Sequence, residues 1–210
     1  ILNERNHPVS KFVSQVIAGF ESNIFDQKMS TSNDHMARYY ARYPEYLNLL
    51  NRDIDRIGFG VREMRLQPSP NGPIALFEHE GLIEPLPARL ESYGTLQFVK
   101  IFPLIAKALE TGNLAIVDEL DIAIHPLVLP EIIRWFHDPV RNPRNAQLWM
   151  TCQNASLLED LVKEEVLFCE KDSRGRTSVY GLADVQMVRR TDNYYKKYLG
   201  GVYGAVPHLG

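Results

Sequence analysis

The chain contains only two cysteines, Cys152 and Cys169, far apart in sequence and in no C-x-x-C pair. This excludes a disulfide framework and argues against a zinc knuckle; a reducing, cytoplasmic setting is expected. No charge of one sign dominates. The 23 lysines and arginines face 26 carboxylates, giving a formal net charge of -3, so nothing global marks a nucleic-acid binder or a protein drawn to an acidic membrane surface. Long apolar runs are missing as well. The longest candidate, Phe98 to Leu109, is broken by Lys100, Pro103 and Lys107. A bilayer span needs ~18 apolar residues, so no membrane partner is expected. There is no internal repeat, the six histidines show no metal-ligand spacing, and Ile1-Leu2-Asn3-Glu4 begins no charged-then-apolar leader.

What is present is ordinary globular composition, 45% hydrophobic and 23% charged over 210 residues, enough for one large domain or one domain with an insertion. Apolar spacing predicts helices over Val9 to Phe20 and Tyr39 to Ile57, with the polar segment Asp26 to Asp34 between them as a loop. Phe59 to Leu66 and Ile74 to Phe77 flank the turn-forming stretch Pro68 to Pro73 and read as a β-hairpin. Glu78 to Ala88 is compatible with strand or loop. Ser92 to Gly112 is apolar almost all round and predicts a buried helix, with Pro103 kinking it or delaying its start.

Beyond it, Leu114 to Val117 and Gln147 to Thr151 are short buried strands, and Leu127 to His137, Ala155 to Lys163 and Asn193 to Leu199 are helices. Val166 to Cys169 and Thr177 to Leu182 suggest a terminal β-hairpin. The helix–strand alternation predicts the α/β class, a parallel or mixed sheet with flanking helices.

One stretch carries the chemistry: Leu114-Ala115-Ile116-Val117-Asp118-Glu119-Leu120-Asp121, closing on Ile124-His125-Pro126. Four apolar residues run into two adjacent carboxylates, at the edge of a parallel sheet where open α/β folds bind ligands. In a Walker B element the first carboxylate holds Mg²⁺ directly or through water, and the second polarises the attacking water. The plain alternative is a solvated acidic turn. Before the buried helix, Ser92-Tyr93-Gly94-Thr95 offers a hydroxyl, bare backbone N–H groups and the positive end of a helix dipole, the parts of a phosphate site. An ordinary N-cap accounts for the same residues. Thr151-Cys152-Gln153-Asn154 sets polar groups at the end of the next strand, where a simple polar turn capped by Asn154 also fits.

Taken in order and spacing, Ser92 to Thr95, the Asp118–Glu119 strand, Ile124-His125-Pro126 and Ala146 to Thr151 resemble the carboxyl-terminal half of an ABC-type ATPase. The branch is the AAA-like, SMC-related group of prokaryotic abortive-infection and anti-phage systems. Glu170-Lys171-Asp172, Tyr180-Gly181-Leu182 and the tail from Asn193 to Pro207 resemble its closing segment. The resemblance implies ATP and Mg²⁺ as cofactors. It implies Ser92, Gly94 and Thr95 as the signature touching the γ-phosphate held by a partner subunit, Asp118 as the Mg²⁺-linked carboxylate and Glu119 as the catalytic base. Asp121 to His125 would form the D-loop at the dimer interface. Gln153 falls where the family has a switch histidine; a glutamine can donate to a phosphate oxygen but carries no charge, which implies slow hydrolysis. The partners implied are a second copy, as a homodimer or larger homo-oligomer closed around ATP, and an effector protein of nuclease type.

No glycine-x₄-glycine-lysine-serine/threonine loop occurs in the chain. Together with the non-methionine start, this places the expected P-loop lobe upstream, with residues 1–58 as a helical insertion and 59–210 as the carboxyl-terminal lobe; the fragment alone is expected to be inactive. Arg189 to Tyr198 interleaves basic and aromatic residues. It reads first as an amphipathic helix with Tyr195, Tyr198 and Leu199 inward, and alternatively as a contact to a nucleic-acid backbone. Three other readings compete: a Mg²⁺-dependent TOPRIM-like nuclease using Glu119 and Asp121, for which Glu91 is a poor third carboxylate; a non-catalytic scaffold; and an SMC-like DNA-repair ATPase.

Overall fold

A computed structural model describes residues 20–22, 32–122 and 124–206, in two compact units, Ile1–Cys152 and Gln153–Gly210. The first described element of the first unit is β1 (Phe20–Ser22). The helix expected over Val9 to Phe20 lies outside the described residues as far as residue 19. Phe20 itself is strand, because it pairs with a partner nearly a hundred residues away, which local periodicity does not register. Residues 1–58 are therefore not helical throughout.

Helices α1 (Asn33–Arg42) and α2 (Pro44–Ile54) follow. The sequence predicted one helix from Tyr39. The chain breaks at Tyr43 because a proline disfavours helical backbone in the residue before it: Tyr43 sits at φ -128°, ψ 73°, and Pro44 starts the new helix, where its missing N–H is harmless. The start of α1 is capped by Ser32, whose hydroxyl accepts the Asp34 N–H at 3.2 Å, so Asn33 and Asp34 are helix rather than loop.

Strands β2 (Val61–Gln67), β3 (Ile74–His79) and β4 (Leu86–Pro87) form an antiparallel sheet in the order β2-β3-β4. Val61, Met64, Ala75 and Phe77 are buried from it. Asn51 of α2 fastens the sheet by bonding both the N–H and the C=O of Met64, at 2.9 and 3.0 Å.

The helix α3 (Tyr93–Thr111) is capped by Ser92 and ends at Gly112, which takes the left-handed conformation (φ 76°). Pro103 neither ends α3 nor delays its start. It removes one backbone donor, which leaves the Val99 carbonyl without its intrahelical partner. The hydroxyl of Tyr40, fully buried in α1, donates to that carbonyl at 2.7 Å. The apolar circumference of α3 is explained by its neighbours: α1 and α2 pack on it, and so does a second sheet.

That sheet contains β5 (Leu114–Val117) and β6 (Gln147–Met150), parallel, in the order β1-β5-β6. The helix α4 (Val128–His137) joins them and packs on β6. Parallel and antiparallel pairs thus occupy separate sheets rather than one mixed sheet. Phe59, Phe98, Phe102 and Trp135 form the aromatic centre, with ring centroids 5.3–6.3 Å apart. Arg141 stacks 3.6 Å from the Trp135 ring and binds Asp53 through both terminal guanidinium nitrogens.

In the second unit, the helix expected over Ala155 to Lys163 is replaced by two 3₁₀ turns, Ala155–Glu159 and Lys163–Glu165. So short a segment has little cooperative helix stability of its own, and burial of the adjacent Leu157 and Leu158 suits a tighter turn. The strands β7 (Leu167–Lys171) and β8 (Thr177–Gly181) pair antiparallel. The short helix α5 (Tyr194–Leu199) buries Tyr194 and leaves Leu199 exposed, reversing the inward face expected for Leu199. Phe168 stacks on Tyr198 at 5.4 Å, and Leu158, Val166, Leu182 and Tyr203 complete this core.

Candidate active site

The central strand β5 carries Asp118 and Glu119 at its carboxyl end, beside the end of β6. Each is exposed, whereas Val117 before them and Leu120 after them are buried. The two carboxylates are thus held between two apolar anchors. Glu119 adopts φ 52°, the left-handed region that side chains avoid. Such a residue carries a strain of order 1–3 kcal/mol that its surroundings must offset.

The surroundings are one residue of the neighbouring strand's end. The Thr151 N–H donates to the Val117 carbonyl at 3.0 Å, and the Thr151 carbonyl accepts the Leu120 N–H at 3.1 Å. Between these, the Thr151 hydroxyl donates to Asp118 Oδ1 at 2.6 Å and accepts the Glu119 N–H at 2.7 Å. An amide can only donate, so the hydroxyl proton must go to the Asp118 carboxylate and the directions are fixed. Residues 117 to 120 are all bonded to Thr151. Sequence reasoning placed Thr151 at this edge but gave it no task; the only signal was a hydroxyl at a strand end in parallel register.

Mg²⁺ keeps several waters and binds through one or two carboxylates plus phosphate oxygens rather than an all-protein cage. The donor set fits that mode. Asp118 presents an exposed carboxylate at the strand's end, the kind of single oxygen ligand this mode uses. Asp121 is half-buried two residues on, and His125 is exposed, its Nδ1 accepting the Leu127 N–H at 3.2 Å. Leu120 and Ile124 anchor this loop by burial.

Ser92, Gly94 and Thr95 lie together at the amino end of α3. Ser92 Oγ accepts the Thr95 N–H at 3.1 Å and lies 2.7 Å from Thr95 Oγ1. Thr95 is buried and Ser92 exposed. Glu91 sets the turn from behind: its side chain is 3% exposed, one oxygen accepts the Ser92 N–H at 2.7 Å, and the other lies 2.6 Å from His79 Nε2. Glu91 is therefore committed to holding the turn, which removes it as a third metal carboxylate of a nuclease. A 19-residue helix is about 28 Å long, whereas the return along β5 to Asp118 is roughly 16 Å. The Ser92 turn and the Asp118–Glu119 pair therefore mark different positions along the fold.

Gln153 is the first residue of the second unit and is exposed. In that unit Arg190 pairs with Glu164 at 3.0 Å and Lys197 with Asp192 at 2.7 Å, so two of the segment's basic groups already have carboxylate partners. Both cysteines are free thiols, and no described helix is long and apolar enough to cross a membrane.

Comparison with protein families finds a match over residues 8–159 to the family described as "AAA domain, putative AbiEii toxin, Type IV TA system". No curated protein matches the chain.

Proposed function

The chain belongs to this AAA-domain family, a group of nucleotide-binding ATPases, and from that premise we propose that it supplies the carboxyl-terminal half of an ABC-type ATP site. The observation that carries the reading is the Asp118–Glu119 pair at the open end of the central parallel strand, exposed yet fixed by Thr151. Asp118 would hold Mg²⁺ directly or through water. Glu119 would take the proton of the water attacking the γ-phosphate. The ion itself would neutralise charge on the transferring phosphoryl oxygens. Ser92 can receive both the N–H and the O–H of Thr95, leaving its own proton to donate to a phosphate oxygen of a nucleotide held by a second copy. Asp121 and His125 would face that copy. No loop of the kind that cradles β- and γ-phosphates occurs among these 210 residues, so on this reading a loop supplied from elsewhere would complete the site.

In this proposal, ATP-driven closing and opening of the dimer is a switch in an abortive-infection system, regulating an effector protein. The test is ATP hydrolysis by the full-length protein and its Glu119→Gln variant. Replacing the base should lower kcat at least a hundredfold while nucleotide binding persists. An unchanged rate would remove Glu119 from the role and the reading with it.

A further inference from the structure

The hydrogen bonds of Thr151 exceed what strand pairing needs. Its backbone N–H and C=O continue the β5–β6 ladder past the last strand residues, which any residue there could do. Its hydroxyl does something else: it joins the Asp118 carboxylate to the Glu119 amide, at 2.6 and 2.7 Å. Because the donor directions are fixed, this hydroxyl sets the rotation of one carboxylate and the backbone conformation of the next residue together. Glu119 needs such a restraint, since at φ 52° it has no intrinsic preference for its conformation. A carboxylate that binds a metal and one that abstracts a proton must keep a fixed spacing, and a loss of ~1 Å in positioning already costs large factors in rate.

We infer that Thr151 is the positioning residue of the site, coupling the Asp118 carboxylate to the Glu119 backbone through one shared hydroxyl. The inference rests on the proposed ATPase reading and deepens it. Serine keeps the shared hydroxyl and valine keeps only the shape. Outer groups that orient metal ligands are worth factors of ten to a hundred in affinity or activity.

The experiment uses the full-length protein as wild type, Glu119→Gln, Thr151→Val, Thr151→Ala and Thr151→Ser, with steady-state ATP hydrolysis, the Mg²⁺ concentration for half-maximal rate, and Mn²⁺ binding by electron paramagnetic resonance with a non-hydrolysable ATP analogue. Thr151→Val is expected to lower kcat ten- to a hundredfold, leave KM for ATP within about threefold, and weaken Mn²⁺ binding at least fivefold. Thr151→Ser should recover most of both. If Thr151→Val is insoluble, the same comparison is made between Thr151→Ala and Thr151→Ser. A merely structural threonine would lower the melting temperature and the yield but leave Mn²⁺ affinity and the Mg²⁺ requirement of the folded fraction unchanged, which overturns the inference. So does a valine or alanine variant with wild-type kcat. A wild type with no hydrolysis sensitive to Glu119→Gln instead defeats the ATPase reading itself, so the two failures are distinguishable.

Discussion

Tyr40→Phe removes one oxygen from the interior of the first unit, and its cost follows from a defect elsewhere. Pro103 deprives the Val99 carbonyl of its helical donor, and the Tyr40 hydroxyl replaces that donor at 2.7 Å, with both residues fully buried. Phenylalanine fits the same space but leaves the carbonyl unsatisfied. An orphaned buried acceptor costs about 1–3 kcal/mol, more than the net value of an ordinary hydrogen bond. Taking about 2 kcal/mol, the melting temperature should fall by about 4–8 °C for a chain of this size. Thermal and urea unfolding followed by tryptophan fluorescence are the assays, since Trp135 and Trp149 both lie in the first unit.

A double-mutant cycle isolates the cause. In a Pro103→Ala background, residue 103 regains its N–H and Val99 regains its helical partner. The cost of Tyr40→Phe should then drop to about 0.5 kcal/mol or less, a coupling of about 1 kcal/mol or more. A cost that is small in both backgrounds, or equally large in both, would refute the account of Pro103.

The remaining predictions concern pH and a turn. Burial raises the pKa of the Tyr40 hydroxyl well above its usual value, and burial followed by the nearby Glu110 carboxylate does the same for Tyr46. The folded state therefore favours the neutral phenols: their contribution is fully present below the unfolded value of about 10 and is lost as pH rises from there toward the folded values. The urea midpoint should be insensitive to these groups between pH 7 and 9 and fall above about pH 10, more gently in Tyr40→Phe; an equal slope in that variant would remove Tyr40 from the effect. Gly112→Ala should destabilise by about 1–3 kcal/mol, because a Cβ there would lie 2.8 Å from the Arg144 carbonyl at φ 76°. A melting temperature within a degree of wild type would show that the backbone relaxes instead.

Legibility in the sequence followed the range of the forces involved. The strand Leu114–Val117, its two carboxylates and the Ser92-capped helix were readable because burial pattern, capping and breakers act within a few residues. The break at Tyr43 was not read, because the apolar stripe running across Pro44 invited one continuous helix. The 3₁₀ turns after Asn154 were not, since a short amphipathic segment takes its conformation from the core it meets.

By itself, then, the sequence determined the α/β character, the order of helices and strands from Ser92 to Met150, and the placement of Asp118 and Glu119 at a strand's end, because each depends on local spacing. Only the tertiary structure decided that Phe20–Ser22 joins the parallel sheet beside β5, that Glu91 is spent on His79 and the Ser92 amide, that Tyr40 repairs the gap left by Pro103, and that Thr151 holds residues 117 to 120. Each is a hydrogen bond or strand pairing between residues 12 to 94 apart in the chain, except the Glu91–Ser92 contact that the His79 pairing locks. Directional bonds at such separations depend on how the elements pack, and no local pattern of residues encodes that.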